Sequence, residues 1–452
     1  MKFFSQPDDA RFSNKEMILF VLPVFLEQLM IAGLGFADTF MVSAKLGTTA
    51  LAGVSLVNRI DTFAKNFFAA FAQGGSVVVA QYIGSKNEFN QQKSLKNNIQ
   101  ILVGIGTLFM LFMIFFKNQF ITLFFGGAEQ AVLDVTLEYF SITAFSYPFV
   151  ALYYVCSALF RVMGESRIPF MGSVIMMGIN LALKYIFIFE LDMGVAGAAF
   201  STFLAMGITG SALLIMLTSK ENKVRLVSPL KPDFDLKMTG RILKISFPNG
   251  IEQGMFQLGA LMLAGLVSGL GEDAINADQI SRNVTPLIYG ISTGFNALML
   301  MVVGQCMGAN EISEVVRYRK HILKLNHFFV FAISLGFFVI LKPMIGIFGV
   351  SEQSEIWAMQ ICVLYVIGSI LFYPSSFGTP SALRGTGDTK FVMFVAAASM
   401  FMFRIGCAYI CVNLLNMGVI GIWVAMILDW VIRSVIFELR FRHGKWKENK
   451  VI

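Results

Sequence analysis

Charge is what this chain has least of. Only 14 % of its 452 residues are Asp, Glu, Lys or Arg, against about 25 % in an ordinary soluble domain. Hydrophobic residues make up 56 % and the mean hydropathy is +0.71. A globule in water cannot hide that much apolar surface. The same balance excludes a disordered chain, which is poor in apolar residues. Cysteine is scarce too. Cys156, Cys306, Cys362, Cys407 and Cys411 fall in apolar stretches without zinc-like spacing, so they read as buried thiols, with no metal site and no disulfide scaffold. The three histidines, His321, His327 and His443, cluster nowhere. There is no G-x-x-x-x-G-K-[ST] and no H-E-x-x-H, so P-loop ATP hydrolysis and zinc proteolysis have no foothold. No polar catalytic cluster stands out, and the chain is read as a non-enzyme without a cofactor.

What the chain has is long apolar runs. They cover 17–42, 50–82, 97–116, 131–160, 168–190, 194–218, 242–268, 275–307, 322–341, 355–382, 391–413 and 418–439. Each is far too long for a barrel strand and none alternates strictly. Twelve helices of about 20 apolar residues would take about 53 % of the chain, close to its hydrophobic fraction. The first run contains Glu27 and Asp38 and lacks a small-residue cleavage site, so it reads as a span and not as a signal peptide.

Basic residues set the expected orientation. The tails and even-numbered loops carry 25 Lys and Arg, among them Lys2, Lys86, Arg161, Lys223, Lys231, Arg317, Lys390 and Lys450, whereas the opposite side has only Lys45, Lys117 and Lys342. Both termini are therefore expected in the cytoplasm. The net charge of +7 then reflects topology and anionic headgroups, and no nucleic-acid partner is needed.

The two halves repeat. Pro23-Val24-Phe25-Leu26-Glu27-Gln28 returns as Pro248-Asn249-Gly250-Ile251-Glu252-Gln253, and Gln81-Tyr82-Ile83-Gly84 as Gln305-Cys306-Met307-Gly308. The run from Leu159 to Arg167 returns as Leu383 to Lys390 with one gap, and Met193-Gly194-Val195-Ala196-Gly197 as Met417-Gly418-Val419-Ile420-Gly421. The offsets are 225, 224, 223 and 224. Halves that both begin in the cytoplasm contain even numbers of spans, and six fits. The fold class read from this is an all-α integral membrane protein of 12 transmembrane helices in two parallel six-helix bundles. The bundles are placed at 1–218 and 242–452, with a cytoplasmic linker at 219–241 that contains Pro229 and Pro232.

Pro23, Asp38, Leu46-Gly47 and Ala50-Leu51-Ala52, together with Ala382-Leu383-Arg384-Gly385-Thr386-Gly387-Asp388-Thr389, Gly421-Ile422-Trp423 and the basic ending from Arg440 to Trp446, resemble the MATE multidrug exporters over nearly the whole chain. The resemblance implies a V-shaped pair of bundles in the inner cell membrane, a monomer, alternating access, and export of small organic, often cationic, compounds against inward H⁺ or Na⁺. It also implies that the first-helix carboxylate, here Asp38, takes the coupling ion. A flippase for lipid-linked or other amphiphiles, or an exporter of an anionic metabolite, is the alternative with related architecture. A strongly basic cavity would mark it.

Ionisable groups inside a bilayer cost a few kcal/mol each, so those within the runs are functional candidates. Glu27 and Asp38 lie eleven residues apart, about 20° from a whole number of helical turns, and so share a face. Asn180 and Lys184 lie one turn apart on the fifth run, where the family pattern reads Asn-x-x-Leu-Asp, so the usual acid has become lysine. Two readings of Lys184 stay open. Either it pairs with Asp38, disfavouring Na⁺ there, or it snorkels to the outer interface. In the second half the candidates are Glu252, the repeat partner of Glu27, the i,i+4 sets Asp278/Arg282 and Asp429/Arg433, and Arg404, for which Asp429 is the expected counter-charge.

Overall fold

The computed structural model describes residues 11–220, 222, 224–227, 235–449 and 451–452. Lys2, Lys223, Pro229, Lys231, Pro232 and Lys450 of the orientation and linker readings lie outside the described residues. The first half contains α1 (Asn14–Gly84), α2 (Glu88–Phe125), α3 (Gln130–Thr143) running through a 3₁₀ turn into α4 (Tyr147–Val162), α5 (Arg167–Tyr185), ending in the π-helical turn Ile186–Glu190, and α6 (Gly194–Leu217). The second half contains α7 (Leu236–Ser268), α8 (Glu272–Val284), α9 (Pro286–Gly308), α10 (Ile312–Gly346), α11 (Glu352–Leu371) and α12 (Tyr373–Gly385). It closes with α13 (Thr389–Ser399), the π-helical turn Met400–Gly406, α14 (Cys407–Asn413) and α15 (Gly418–His443).

Among the described residues eleven helical segments are long and apolar enough to cross a membrane. One of them, α1, has 71 residues and would be about 106 Å long if straight, more than three hydrocarbon cores. It breaks at Gly47 (φ 82°, ψ −175°), a conformation open essentially to glycine alone. Counted as two crossings, α1 brings the total to twelve.

The internal repeat extends to the backbone. Among the described residues, ten of the twelve with positive φ recur in matched pairs: Gly47 with Gly271 (φ 82° and 94°), Lys86 with Asn310 (56° and 59°), Gly164 with Gly387 (93° and 89°), Asp192 with Asn416 (47° and 52°) and Gly194 with Gly418 (60° and 57°). Positive φ is costly outside glycine, Asn and Asp. Five turns are therefore made at equivalent places in both halves.

The chain packs as two compact units, one joining the segment up to Phe25 to Ile251–Ile452, the other Leu26–Gly250. The divisions fall inside α1 and α7, whereas the bundle boundaries read from the sequence fall beside the linker. Packing explains the difference. Met17, Phe20, Val21 and Val24 of α1 belong to the same buried cluster as Phe295 of α9 and Trp430 of α15. Val21 and Ser246 are equivalent in the repeat, 225 residues apart. Each lies where a glycine admits close backbone approach. A Cβ on Gly294 would meet the Val21 carbonyl oxygen at 2.9 Å, and one on Gly74 would meet Ser246 Cα at 2.5 Å.

Candidate functional site

In the unit built from Leu26–Gly250, the ion pair the sequence left open is formed. Lys184 Nζ of α5 lies 2.6 Å from Asp38 Oδ1 of α1. The lysine side chain is 2 % exposed and the aspartate 29 %, so Lys184 does not snorkel to an interface. It sits in the last turn of α5, just before the π-helical turn at Ile186. Such turns widen a helix locally and recur at functional sites. Asn180, one turn earlier, donates from Nδ2 to Thr202 Oγ1 of α6 at 3.3 Å. Its Oδ1 is buried and has no hydrogen-bond partner among the described residues.

Around this pair lies a polar cluster that the sequence reading did not pick out. Tyr147 of α4 donates to Asp61 Oδ1 at 2.9 Å. Tyr139 is within electrostatic reach of both Asp61 and Asp38, and Lys65 of both Asp61 and Lys184. Asp61, Tyr139 and Tyr147 are all buried. The signal was present: Asp61 and Lys65 are ionisable groups inside the run 50–82, the criterion that selected Asp38. The tyrosines had no such marker, because a phenol is common in apolar helices.

Glu27, on the same face of α1, does not join the cluster. Arg161 of α4 donates to Glu27 Oε2 at 2.6 Å and Tyr153 to Oε1 at 3.3 Å. The other unit repeats the arrangement: Arg384 of α12 donates to Glu252 Oε1 of α7 at 2.6 Å. Both arginines fall in the repeated motif that follows the fourth and tenth runs, so the repeat itself carried the hint that Glu27/Arg161 and Glu252/Arg384 are equivalent pairs.

The second unit gathers its remaining candidates into one set, in which Asp278, Asp429 and Arg433 are buried, Arg404 is partly buried and Arg282 is exposed. Asp278 accepts from Arg282 Nε at 2.6 Å and from Trp423 Nε1 at 3.0 Å. Arg404, inside the π-helical turn Met400–Gly406, lies 3.8 Å from Asp429 Oδ2, and Ser399 donates to Oδ1 of the same carboxylate. The i,i+4 spacing of Asp429 and Arg433 suggested mutual neutralisation. Among the described residues no ion pair joins them. Arg433 instead stacks its guanidinium on Phe256, Phe377 and Phe437 at 5.2, 4.9 and 5.8 Å. Its rotamer is decided by this aromatic cage, where cation–π attraction replaces part of the lost hydration. Its Nε and Nη1 have no hydrogen-bond partner among the described residues. Arg282, Arg384, Arg404 and Arg433 thus face Glu252, Asp278 and Asp429, four cations to three carboxylates.

The MatE family model matches residues 23–186 and 248–410. The chain is 26 % identical to the probable multidrug resistance protein NorM of Thermotoga maritima, over 97 % of this chain and 94 % of the relative. Its fold is that of a MATE transporter crystallised with MaL6, with a TM-score of 0.88, 19 % identity, and 96 % and 97 % of the two chains covered. It also matches a MOP superfamily transporter from Pyrococcus furiosus whose binding pocket is described as reversed in polarity, suggesting a different function, with a TM-score of 0.87, 18 % identity, and 97 % and 100 % covered. The family model spans more than half of the chain, and both matched segments contain the repeated Pro-x-x-x-Glu-Gln motif of α1 and α7. The chain therefore belongs to the MatE family, the multidrug and toxic compound extrusion (MATE) transporters, and is a multi-span membrane efflux transporter and not an enzyme.

Proposed function

We propose that this transporter exports small organic compounds, cationic or amphiphilic, across the cell membrane by alternating access, in exchange for inward cations, with H⁺ as the coupling ion and both termini in the cytoplasm. It works as a monomer in the lipid bilayer and needs no cofactor. The observation that carries this reading is the ion pair between Lys184 and Asp38. A carboxylate already compensated by an ammonium has little left to offer Na⁺, whose approach would set two cations against each other. A proton acts differently. It neutralises Asp38, dissolves the pair, and leaves the Lys184 charge in a low-dielectric interior with Lys65 near it. An unpaired charge there costs several kcal/mol, enough to bias a two-state equilibrium between helix packings. Asp38, Lys184 and Asn180 are the coupling residues in this scheme. Asp61 and the two phenols position the acid, and Glu27/Arg161 and Glu252/Arg384 hold α1 and α7.

The arginine excess of the second unit supports a second reading, in which the cargo carries a negative charge, as in a flippase for lipid-linked amphiphiles or an exporter of an anionic metabolite. Transport by proteoliposomes separates the two. Export of a fluorescent organic cation is measured under ΔpH alone and ΔNa⁺ alone, for wild type and Asp38→Asn. The first reading expects ΔpH-driven export that Asp38→Asn abolishes. Equal transport by the two proteins removes Asp38 from the mechanism, and no cation transport under either gradient turns the assignment to the anionic cargo.

A further inference from the structure

The first part of α10 is basic and the remainder apolar. Lys320, Lys324, Phe328 and Phe331 follow one another at four-, four- and three-residue steps, with His327 three residues after Lys324, so they form one stripe along the helix. The stripe borders a groove of about 740 Å³ whose other walls come from Ile370 of α11, Ser375 of α12 and Glu438 of α15. Glu438 is the one carboxylate among the lining residues. It is engaged by Arg319 and accepts from Arg442 Nε at 2.7 Å. Arg319 is held in place by Thr379 Oγ1 at 3.0 Å and by the face of Phe441 at 4.4 Å. The rim of the groove is therefore cationic, from Lys320 and Lys324.

Depth along the helix matters as much as charge. α10 has 35 residues, about 52 Å of helix against a hydrocarbon core of about 30 Å, so a length of it belongs to the headgroup layer. Lys320 and Lys324 lie about 12 and 18 Å from the start at Ile312, and Phe328 and Phe331 about 24 and 28 Å. Both phenylalanines are 49 % exposed, as side chains that meet lipid tails are. Charge at headgroup depth above an apolar wall at acyl depth is the complement of an amphiphile. A zwitterionic headgroup would look for a carboxylate to meet its ammonium, and Glu438 is already held by two arginines. An inorganic anion would have no use for the phenylalanine wall.

We propose that this groove is a binding site for an anionic phospholipid of the leaflet at the start of α10, the cytoplasmic one in the orientation given above, with its phosphate between Lys320 and Lys324 and an acyl chain along Phe328 and Phe331. The site is separate from the ion pairs of the transport machinery. The test uses the full-length protein purified in neutral detergent. Phosphatidylglycerol should raise the thermal unfolding midpoint by several degrees, and native mass spectrometry should find it retained, whereas phosphatidylcholine and inorganic phosphate should leave both readouts unchanged. K320Q/K324Q should lose the response and K320R/K324R should keep it. A comparison of bound phosphatidylglycerol and phosphatidylcholine on wild type stands without any variant, should the glutamine pair fail to fold. Equal stabilisation and retention of the two lipids, the same shift with inorganic phosphate, or a full response in folded K320Q/K324Q would each overturn the proposal.

Discussion

Lys184 Nζ and Asp38 Oδ1 are 2.6 Å apart, and the two side chains differ in access: the lysine is 2 % exposed and the aspartate 29 %. The acid is open to its surroundings while the base is enclosed. In the coupling scheme proposed above, Asp38 takes the ion and Lys184 is the charge that responds to it. Removal of the lysine should change the ion selectivity before it changes anything else. In Lys184→Ala the carboxylate is left without its cation, so ΔNa⁺-driven export should appear or grow and ΔpH-driven export should fall roughly tenfold or more. Export of a fluorescent cation by proteoliposomes under each gradient reads both. Saturable Na⁺-driven export by wild type that Lys184→Ala leaves unchanged would remove the pair from the coupling scheme.

The Glu252/Arg384 contact predicts an asymmetry of its own. Glu252 and Arg384 side chains are 7 % and 15 % exposed, so truncating one partner leaves the other as an unpaired charge inside the bilayer. Arg384→Met should destabilise the protein by about 3 kcal/mol. The double variant Glu252→Gln with Arg384→Met should recover part of that, because no charge is stranded. Thermal unfolding in detergent of the four members of the cycle measures the coupling. Single variants that lower stability by less than ~0.5 kcal/mol each would show that the pair is not a structural clamp.

At the start of α7, Asp235 caps the helix. Its Oδ1 accepts from the N–H groups of Lys237 and Met238 at 2.7 and 3.2 Å, and its Oδ2 meets Lys93 of α2. The hydrogen bond from Lys93 and the cap hold its carboxyl at about 2, below the usual carboxylate range. A depressed folded-state pKa means that the contact is fully present above the unfolded value near 4 and is lost as pH falls through about 2. Limited proteolysis of the segment before α7 should therefore be unchanged from pH 7 down to about 4 and should rise below that. Asp235→Asn should show raised cleavage already at neutral pH. A cleavage profile in wild type that rises between pH 7 and 5 would point to a different titrating group.

Much of the architecture was legible before any coordinates. Span count, the gap between the first two runs in which Gly47 falls, and the six-plus-six repeat follow from local rules, since hydropathy and turn chemistry depend on residues close in the chain. Within the candidate site, the prospect that Asp38 meets Lys184 was legible because helix depth places both at similar heights. Tyr147, 86 residues from Asp61, was not legible, since no local pattern distinguishes a phenol that bonds a carboxylate from one that packs. The spacing of Asp429 and Arg433 misled in the opposite direction. An i,i+4 step brings two groups within range, but the rotamer of Arg433 follows from three phenylalanines contributed by α7, α12 and α15.

By itself, then, the sequence determined that the chain is solvated by lipid, how many helices cross it, that the halves repeat, and which few charges are out of place, because each of these depends on composition or on distance along the chain. Only the tertiary structure decided which charge meets which. Arg161 lies 134 residues from Glu27 and Arg384 lies 132 from Glu252, and α1 and α7 each divide their packing between two compact units. In a medium without water a buried charge must find its partner inside the protein, and that partner is set by the rotation and packing of helices remote in the chain.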